Sequence, residues 1–367
     1  IEHSVNEIIE GENIEIKINV YEGEKLLVEK INIAGNSVTN ESVIRSALLL
    51  DEGDPFNNLK LDQSIAKIKA RNLFAEVKKT IKDGTIKNQK IIEIEVEEKP
   101  TGEISAGAGI GTDGGTFGFA VSENNWLGKG VNVTASVDVS TTKFSGGLDV
   151  TDPNYNFSGN SLNYFVKTTT NDKPDSGFKN TLTSGGVGTR FEQYRNIYLS
   201  PTISYSYDDL KVNSGASESL KKQKGSFQDL SFDYGVLFDN RDRVYAPTDG
   251  YITTFNQAVP IYADAPYLKN SIALTKYKTF NPDALGRFKF FATAINGLKD
   301  EDVRLNKRVK LSTNKLRGFE VGKLGPKDGA DYIGGNYAAS INFSTTLPQI
   351  MPNTQNTDFS LFLDAAN

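Results

Sequence analysis

The sequence has no cysteine, one histidine, one methionine and one tryptophan in 367 residues. Without cysteine there is no disulfide framework and no thiolate metal site. With His3 as the sole imidazole, a Ser-His-Asp site, a histidine-ligated metal or a histidine acid–base pair has nothing to use from residue 4 onward. The formal net charge is −5 and no basic stripe exists, which argues against a nucleic-acid partner. No run approaches the ~18 apolar residues of a membrane-spanning helix. Neither an initial Met nor a charged-then-apolar leader is present, so the chain reads as a piece of a longer protein with any secretion signal removed or upstream. No enzyme activity, metal or cofactor is expected.

What is present is unevenly distributed. Of the 37 aromatic residues only Tyr21, Phe56 and Phe74 precede residue 99, as do 5 of the 33 glycines. Residues 1–98 carry 19 acidic and 13 basic side chains, the remainder 27 and 28. An acidic Lys/Glu/Ile-rich front therefore joins a Gly-, Tyr-, Phe- and Asn-rich back near Lys99-Pro100.

In the front, alternation over Ile14–Val20 predicts a strand that ends a first segment, 1–22. Residues 26–34 predict another strand, stopped by Gly35-Asn36. Thr39 or Asn40 can cap a helix over 41–50, and Leu61, Ile65 and Ile68 give a second amphipathic helix over 60–72. Strands at 74–82 and 89–97 complete a small β-α-α-β-β domain of the α+β class, 23–99. Its edges could accept an extended peptide or simply be those of a spacer.

From residue 100 the period is two almost without interruption. Strands are expected near 104–110, 115–122, 131–139, 143–151, 160–169, 181–191, 197–208, 226–238, 250–260, 267–280, 287–296, 335–346 and 358–364. Strands with one apolar and one polar face, several of them long, are what an antiparallel transmembrane β-barrel requires, since a closed sheet satisfies every backbone group in lipid. Short turns (154–159, 192–196, 281–286) alternate with longer loops (170–180, 209–225, 298–334), the outer-membrane habit. Parity puts the long loops outside and the front domain in the periplasm. A large soluble β-sandwich or solenoid also alternates, but the aromatic density, strand length and loop asymmetry favour the barrel.

Several motifs need weighing. Gly109–Gly114 matches G-x-G-x-x-G, yet a dinucleotide site needs a strand before it and a helix after, and here another strand follows. The glycines instead leave Ile104-Ser105-Ala106-Gly107-Ala108-Gly109-Ile110 with few side chains to pack, making this first strand a candidate opening seam or a tight bend. Asp239–Arg243 and Asp300-Glu301-Asp302 lack the spacing of a calcium loop and read as solvated charge. Trp126, on the short-turn side, suits an interface belt. Leu316-Arg317-Gly318-Phe319 sits in a polar segment of unusual length, where Gly can turn the backbone and aim a guanidinium at a carboxylate. The expectation is a loop tucked into the lumen, with Arg317 pairing a wall carboxylate and Phe319 beside it; an exposed loop is the other reading.

Val28–Asn36, Asn124–Gly130, Tyr245–Gly250, Leu316–Phe319, Leu324–Lys327 and Gly334–Asn336, in this order, resemble the BamA family of outer-membrane protein assembly factors. That resemblance implies that 24–98 is the last POTRA domain before the barrel and 1–22 the remnant of the one before it. It implies a sixteen-strand barrel over 100–367 and beyond, of which about thirteen strands are present. It also implies a factor in the bacterial outer membrane that inserts client barrels without ATP. Partners would be unfolded client proteins, accessory lipoproteins at the POTRA domain, and lipid, with strand 104–110 as lateral gate. The family's Arg reaches acidic residues on later strands; Asp364 matches one, and Asn342 stands where the other is Glu. A two-partner secretion transporter, which shares POTRA domains and an Arg-Gly-aromatic loop, is the alternative.

Overall fold

The computed structural model describes residues 2–10, 13–21, 24–111, 114–173, 177–281, 284–299, 301–319, 322–329, 331–346 and 359–367. It divides into two compact units, Ile1–Gly102 with Asn124–Val131, and Glu103–Glu123 with Asn132–Asn367.

The first unit opens with a hairpin of β1 (Glu2–Glu10) and β2 (Asn13–Tyr21), followed by β3 (Leu27–Ala34), α1 (Glu41–Arg45), α2 (Asn58–Ala70), β4 (Phe74–Asp83) and β5 (Gln89–Glu98). The last three strands form one sheet in the order β3-β5-β4, parallel between β3 and β5 and antiparallel between β4 and β5. Alternation sends Ile92, Ile94 and Val96 into a core with Val28, Ile31, Ile44, Leu61 and Ile68. Asn57 caps α2 by accepting from the Lys60 N–H at 3.1 Å. α1 ends at Arg45, short of the residue 50 expected from sequence. The Leu49 N–H donates to Ser64 Oγ (2.8 Å), turning the chain so that Leu50 reaches the core. At Gly35, φ is +90° and a Cβ would run into the Val96 carbonyl, so only glycine fits.

Segment Asn124–Val131 packs within this unit through a buried polar network. Glu98 accepts from Thr39 Oγ1 (3.0 Å) and from the Thr39 N–H (2.7 Å). Asn125 Nδ2 donates to Thr39 Oγ1 (2.8 Å), while its Oδ1 accepts from the Gly130 N–H (2.8 Å). Asn40 N–H and Arg71 Nη2 donate to the carbonyls of Gly128 (2.8 Å) and Gly130 (3.2 Å). Thr39 and Asn125 are 2% and 5% exposed, so their bonds have little competition from water. Asn125→Ala should therefore lower the stability of this unit by about 2 kcal/mol in denaturant unfolding. A loss below ~0.5 kcal/mol would mean that the network is solvated.

The second unit is built on a sheet of β6 (Gly102–Gly111), β7 (Gly114–Trp126), β8 (Val131–Ser140), β9 (Lys143–Asp152), β10 (Ser161–Lys173), β11 (Phe178–Tyr194) and β12 (Ile197–Val212). It continues with β13 (Gly225–Asp239), β14 (Asp249–Ala263), β15 (Tyr267–Asn281), β16 (Ala284–Gly297), β19 (Tyr337–Thr346) and β20 (Ser360–Ala366). A helical turn, α3 (Glu218–Lys222), lies before β13, and a two-residue ribbon, β17 (Lys327–Asp328) with β18 (Asp331–Tyr332), lies inside the long loop. The thirteen strands follow chain order, and β6 and β20 are the edges of the described sheet, which is open.

The expected 170–180 loop is mostly strand: β10 runs to Lys173 and β11 starts at Phe178. Threonine and asparagine there look loop-like in sequence, but Thr170 and Thr181 hydroxyls pair across the strands at 3.0 Å. The two faces differ sharply. One carries exposed Phe119, Val137, Leu148, Val166, Ile203, Phe232, Ile272 and Phe343. The other carries Asp208, Asp229, Arg287, Lys289, Asn342 and Asp364, and the 298–336 segment lies against it.

Candidate functional site: a clamped loop on the polar face

Segment 298–336 leaves β16 and returns to β19, and its neck is closed by two backbone bonds between Val309 and Gly335 (2.8 and 3.0 Å). At its tip Gly318 adopts φ +84°, the left-handed region that suits glycine. The turn sets Arg317 against β20. Its Nε and Nη2 donate to Asp364 Oδ2 (2.6 Å) and Oδ1 (2.5 Å), and its backbone N–H donates to Oδ2 (3.0 Å). This two-pronged pairing is the strong form of an arginine–carboxylate contact, and Asp364 is only 4% exposed.

Two expectations about this tip need correcting. Phe319 does not pack on the guanidinium; it is half exposed, because the chain has turned at Gly318. The ring over Arg317 is Phe362, 3.7 Å from Cζ, which shares a strand face with Asp364 through the two-residue period. Nor is Asn342 placed as a guanidinium partner. It stands opposite Asp364 in register, but its Nδ2 donates to the Lys315 carbonyl (2.8 Å). Asp364 already occupies both guanidinium prongs, and an amide can donate where the expected Glu could not.

A second anchor, not foreseen from sequence, holds the start of the loop. Arg304 Nη1 donates to Asp208 Oδ2 on β12 at 2.6 Å, with the two side chains 6% and 2% exposed. Asn306 and Asn180 also donate to that carboxylate, and the Phe227 ring lies 3.4 Å from Arg304 Cζ. Lys307 Nζ lies 3.6 Å from Asp229, which also accepts from Tyr267 OH (3.2 Å). Beside them Leu305 joins Leu210, Ala216 and Leu220 in a small apolar core, where its N–H donates to Gln223 Oε1 (2.8 Å). Asp328 accepts from the Ser219 N–H (2.8 Å), and hydrogen bonding to Ser219 holds its carboxyl below the usual range. The only hint in the sequence was one more Arg in a charged loop; its partner lies 96 residues away.

The other singled-out residues fall elsewhere. Residues 104–110 lie in β6, at one edge of the sheet; Ile104 and Ile110 are exposed. Residues 112–113 of the Gly-rich motif and Asp300 lie outside the described residues. Asp239 is bound by Arg241 through two hydrogen bonds (2.8 and 2.6 Å), so that turn is closed on itself. Asp242 accepts from Thr248 Oγ1 (2.6 Å), and this bond, with the Asp249 and Thr248 amides, holds its carboxyl well below the ordinary value. Among the described residues no group of acidic or histidine side chains is arranged to hold a metal.

A sheet with one bare apolar face, a loop clamped to its polar face and a separate α+β module together define a β-sheet membrane protein with a POTRA-type domain. The comparisons agree. Residues 125–367 match the Omp85 superfamily domain, and residues 26–99 match POTRA, a surface antigen variable number repeat. The outer membrane protein assembly factor BamA of Neorickettsia risticii is 26% identical over 348 residues, covering 92% of this chain and 46% of that protein. The crystal structure of BamA from Haemophilus ducreyi lacking POTRA domains 1-3 superposes with a TM-score of 0.80 at 20% identity, covering 100% of this chain and 76% of that one. CdiB from Acinetobacter baumannii shares the fold at a TM-score of 0.58 and 13% identity, covering 96% of this chain and 65% of that one. The chain belongs to the Omp85 superfamily and is similar to its BamA-type members, proteins of the bacterial outer membrane with POTRA domains on the periplasmic side. It spans about half the length of the curated relatives it matches.

Anchorage at both ends of the loop makes a specific demand. Arg304→Ala or Arg317→Ala alone should leave the loop protected, because the remaining pair still tethers it. The double variant should be cut by trypsin at Lys307–Lys315 at least about tenfold faster, since cleavage follows the population of the open form. If either single variant were cut as fast as the double, one anchor would be doing the holding.

Proposed function

We propose that the chain is the barrel and last POTRA domain of an outer-membrane insertase, which folds client barrel proteins into the membrane without ATP. The observation that carries the reading is the Arg317–Asp364 clamp on the polar face of a sheet whose other face is bare and apolar. In this reading the thirteen described strands are part of a closed barrel of sixteen. The polar face is then the lumen wall, and segment 298–336 enters the lumen from the outer side. Residues 1–22 are the remnant of a preceding POTRA domain.

β6 serves as the lateral gate. Gly102, Gly107, Gly109 and Gly111 give it little side-chain packing, so its backbone bonds to the closing strand are the easiest in the barrel to exchange for a client's. A client strand pairing there completes its own hydrogen bonds and buries its apolar face in lipid, so the free energy comes from the client and no covalent chemistry is needed. The POTRA domain receives unfolded clients and docks accessory lipoproteins through sheet edges such as β3 and β4.

These 367 residues hold no cysteine, so within them an introduced cysteine meets no competing thiol. Two cysteines joining 104–110 to the closing strand in the full-length protein should abolish client insertion when oxidised and restore it when reduced. Insertion unchanged by oxidation sinks the gate. Export of one dedicated substrate, with other clients untouched, would instead favour a two-partner secretion transporter.

A further inference from the structure

A shallow groove of about 420 Å³ crosses the apolar face of β14, β15, β16 and β19. Its floor includes Ala292, Ala294 and Ala339, with Phe255 and Ile272 on one side and Tyr337 on the other. Strand register sorts the neighbourhood into cross-strand rows. Phe255, Ile272, Ala292 and Ala339 form one, with Asn367 paired to Ala339 at its far end; Gln257, Asn270, Ala294 and Tyr337 form the next, nearer the long-loop end. On the other side of the alanine row, Leu274, Phe290 and Ile341 close the groove with large apolar side chains.

The Gln257–Asn270 row is a polar stretch beside the large apolar side chains of this part of the face. Tyr234 OH donates to Gln257 Oε1 (3.0 Å), and Gln257 Nε2 donates to Asn270 Oδ1 (2.5 Å). The relay ends at Asn270 Nδ2, which meets no acceptor among the described residues, and Asn270 lines the groove. An amide N–H facing hydrocarbon is unfavourable unless something accepts from it.

We propose that the groove is a binding site for one diacyl glycerophospholipid, whose ester carbonyl accepts from Asn270 Nδ2 and whose tail lies over the alanine floor. This rests on the membrane-barrel reading. Across β14 to β16 polarity runs in the direction a lipid needs, with the Gln257 and Asn270 amides toward the membrane surface and Ile272, Leu274 and Phe290 toward the bilayer interior. From β15 to β19 the floor is two strand spacings wide, about 10 Å, which admits one or two tails and not a many-chained lipid. No Lys or Arg lines it, so a headgroup bearing several phosphates finds no counter-charge there.

The test uses the full-length protein extracted from membranes, titrated with phosphatidylethanolamine and read by native mass spectrometry. Heat-modifiable electrophoretic mobility certifies that each variant is a folded barrel. The unaltered protein should retain one lipid. Ala292→Leu with Ala294→Leu fills the floor and should weaken retention by at least about tenfold through steric exclusion. Asn270→Leu spares the floor but removes the donor, and should weaken it about three- to fivefold. Val137→Leu, on the apolar face of β8, should change nothing. Equal retention by all of these in folded, membrane-inserted protein overturns the site, as would retention of lipopolysaccharide in place of the phospholipid. Recovery of the protein from the soluble fraction would instead overturn the barrel reading on which the site rests.

Discussion

The structure depends on the two-residue period of its strands, which assigns alternate side chains to opposite faces over thirteen strands at once. One face then has apolar side chains and no protein partner among the described residues, and lipid is the solvent that suits it. The other face gathers carboxylates, lysines and arginines that lipid would reject. Shifting any strand by one residue would exchange the two sets, so the register is fixed by the solvents on either side as firmly as by the backbone bonds. The long loop answers to the same constraint. Lying on the polar face, it is held by charge and hydrogen bonding, with one small apolar core where Leu305 meets Leu210, Ala216 and Leu220.

Magnitudes explain why such a loop has two anchors. An exposed ion pair contributes well under 1 kcal/mol and could not order some forty residues. Both pairs here avoid that fate. Asp364 is nearly buried and receives three hydrogen bonds from one residue, and Asp208 is buried and receives donors from three residues. In each case a carboxylate removed from water is compensated by several donors, the condition under which a buried charge is tolerable. Asn342, opposite Asp364 in register, makes sense in these terms. With both Arg317 prongs satisfied by Asp364, a neutral amide that binds the Lys315 carbonyl holds the loop with no further charge to desolvate.

Much of the fold was legible in the sequence because it rests on local alternation. All thirteen strands fall where period two placed them, and the front module has the expected β-α-α-β-β order. Errors arose where a distant partner overrides local preference. The loop expected at 170–180 is strand because cross-strand threonine pairs stabilise polar residues there. α1 stops early because Ser64, on another helix, captures the Leu49 N–H. At the site, Arg317 and Asp364 could be matched through the family motif, whereas Phe362 and the Arg304–Asp208 pair could not. Stacking on Arg317 depends on which ring shares Asp364's face, and Arg304 carries no local mark distinguishing it from the other cations of its loop.

The same reasoning separates β6 from the rest of the sheet. Strands β12 to β16 carry aromatic and β-branched residues on the apolar face, so opening any of them would expose large side chains as well as backbone. β6 offers only Ser105, Ala106, Gly107, Ala108 and Gly109 between Ile104 and Ile110, so little beyond backbone pairing holds its edge. Backbone pairing is the one interaction that an incoming strand can replace bond for bond. Under the proposed gate, an edge held mainly by interchangeable bonds is exchanged at small net cost, while the neighbouring strands, tied by packing and by the clamped loop, keep the remaining wall intact.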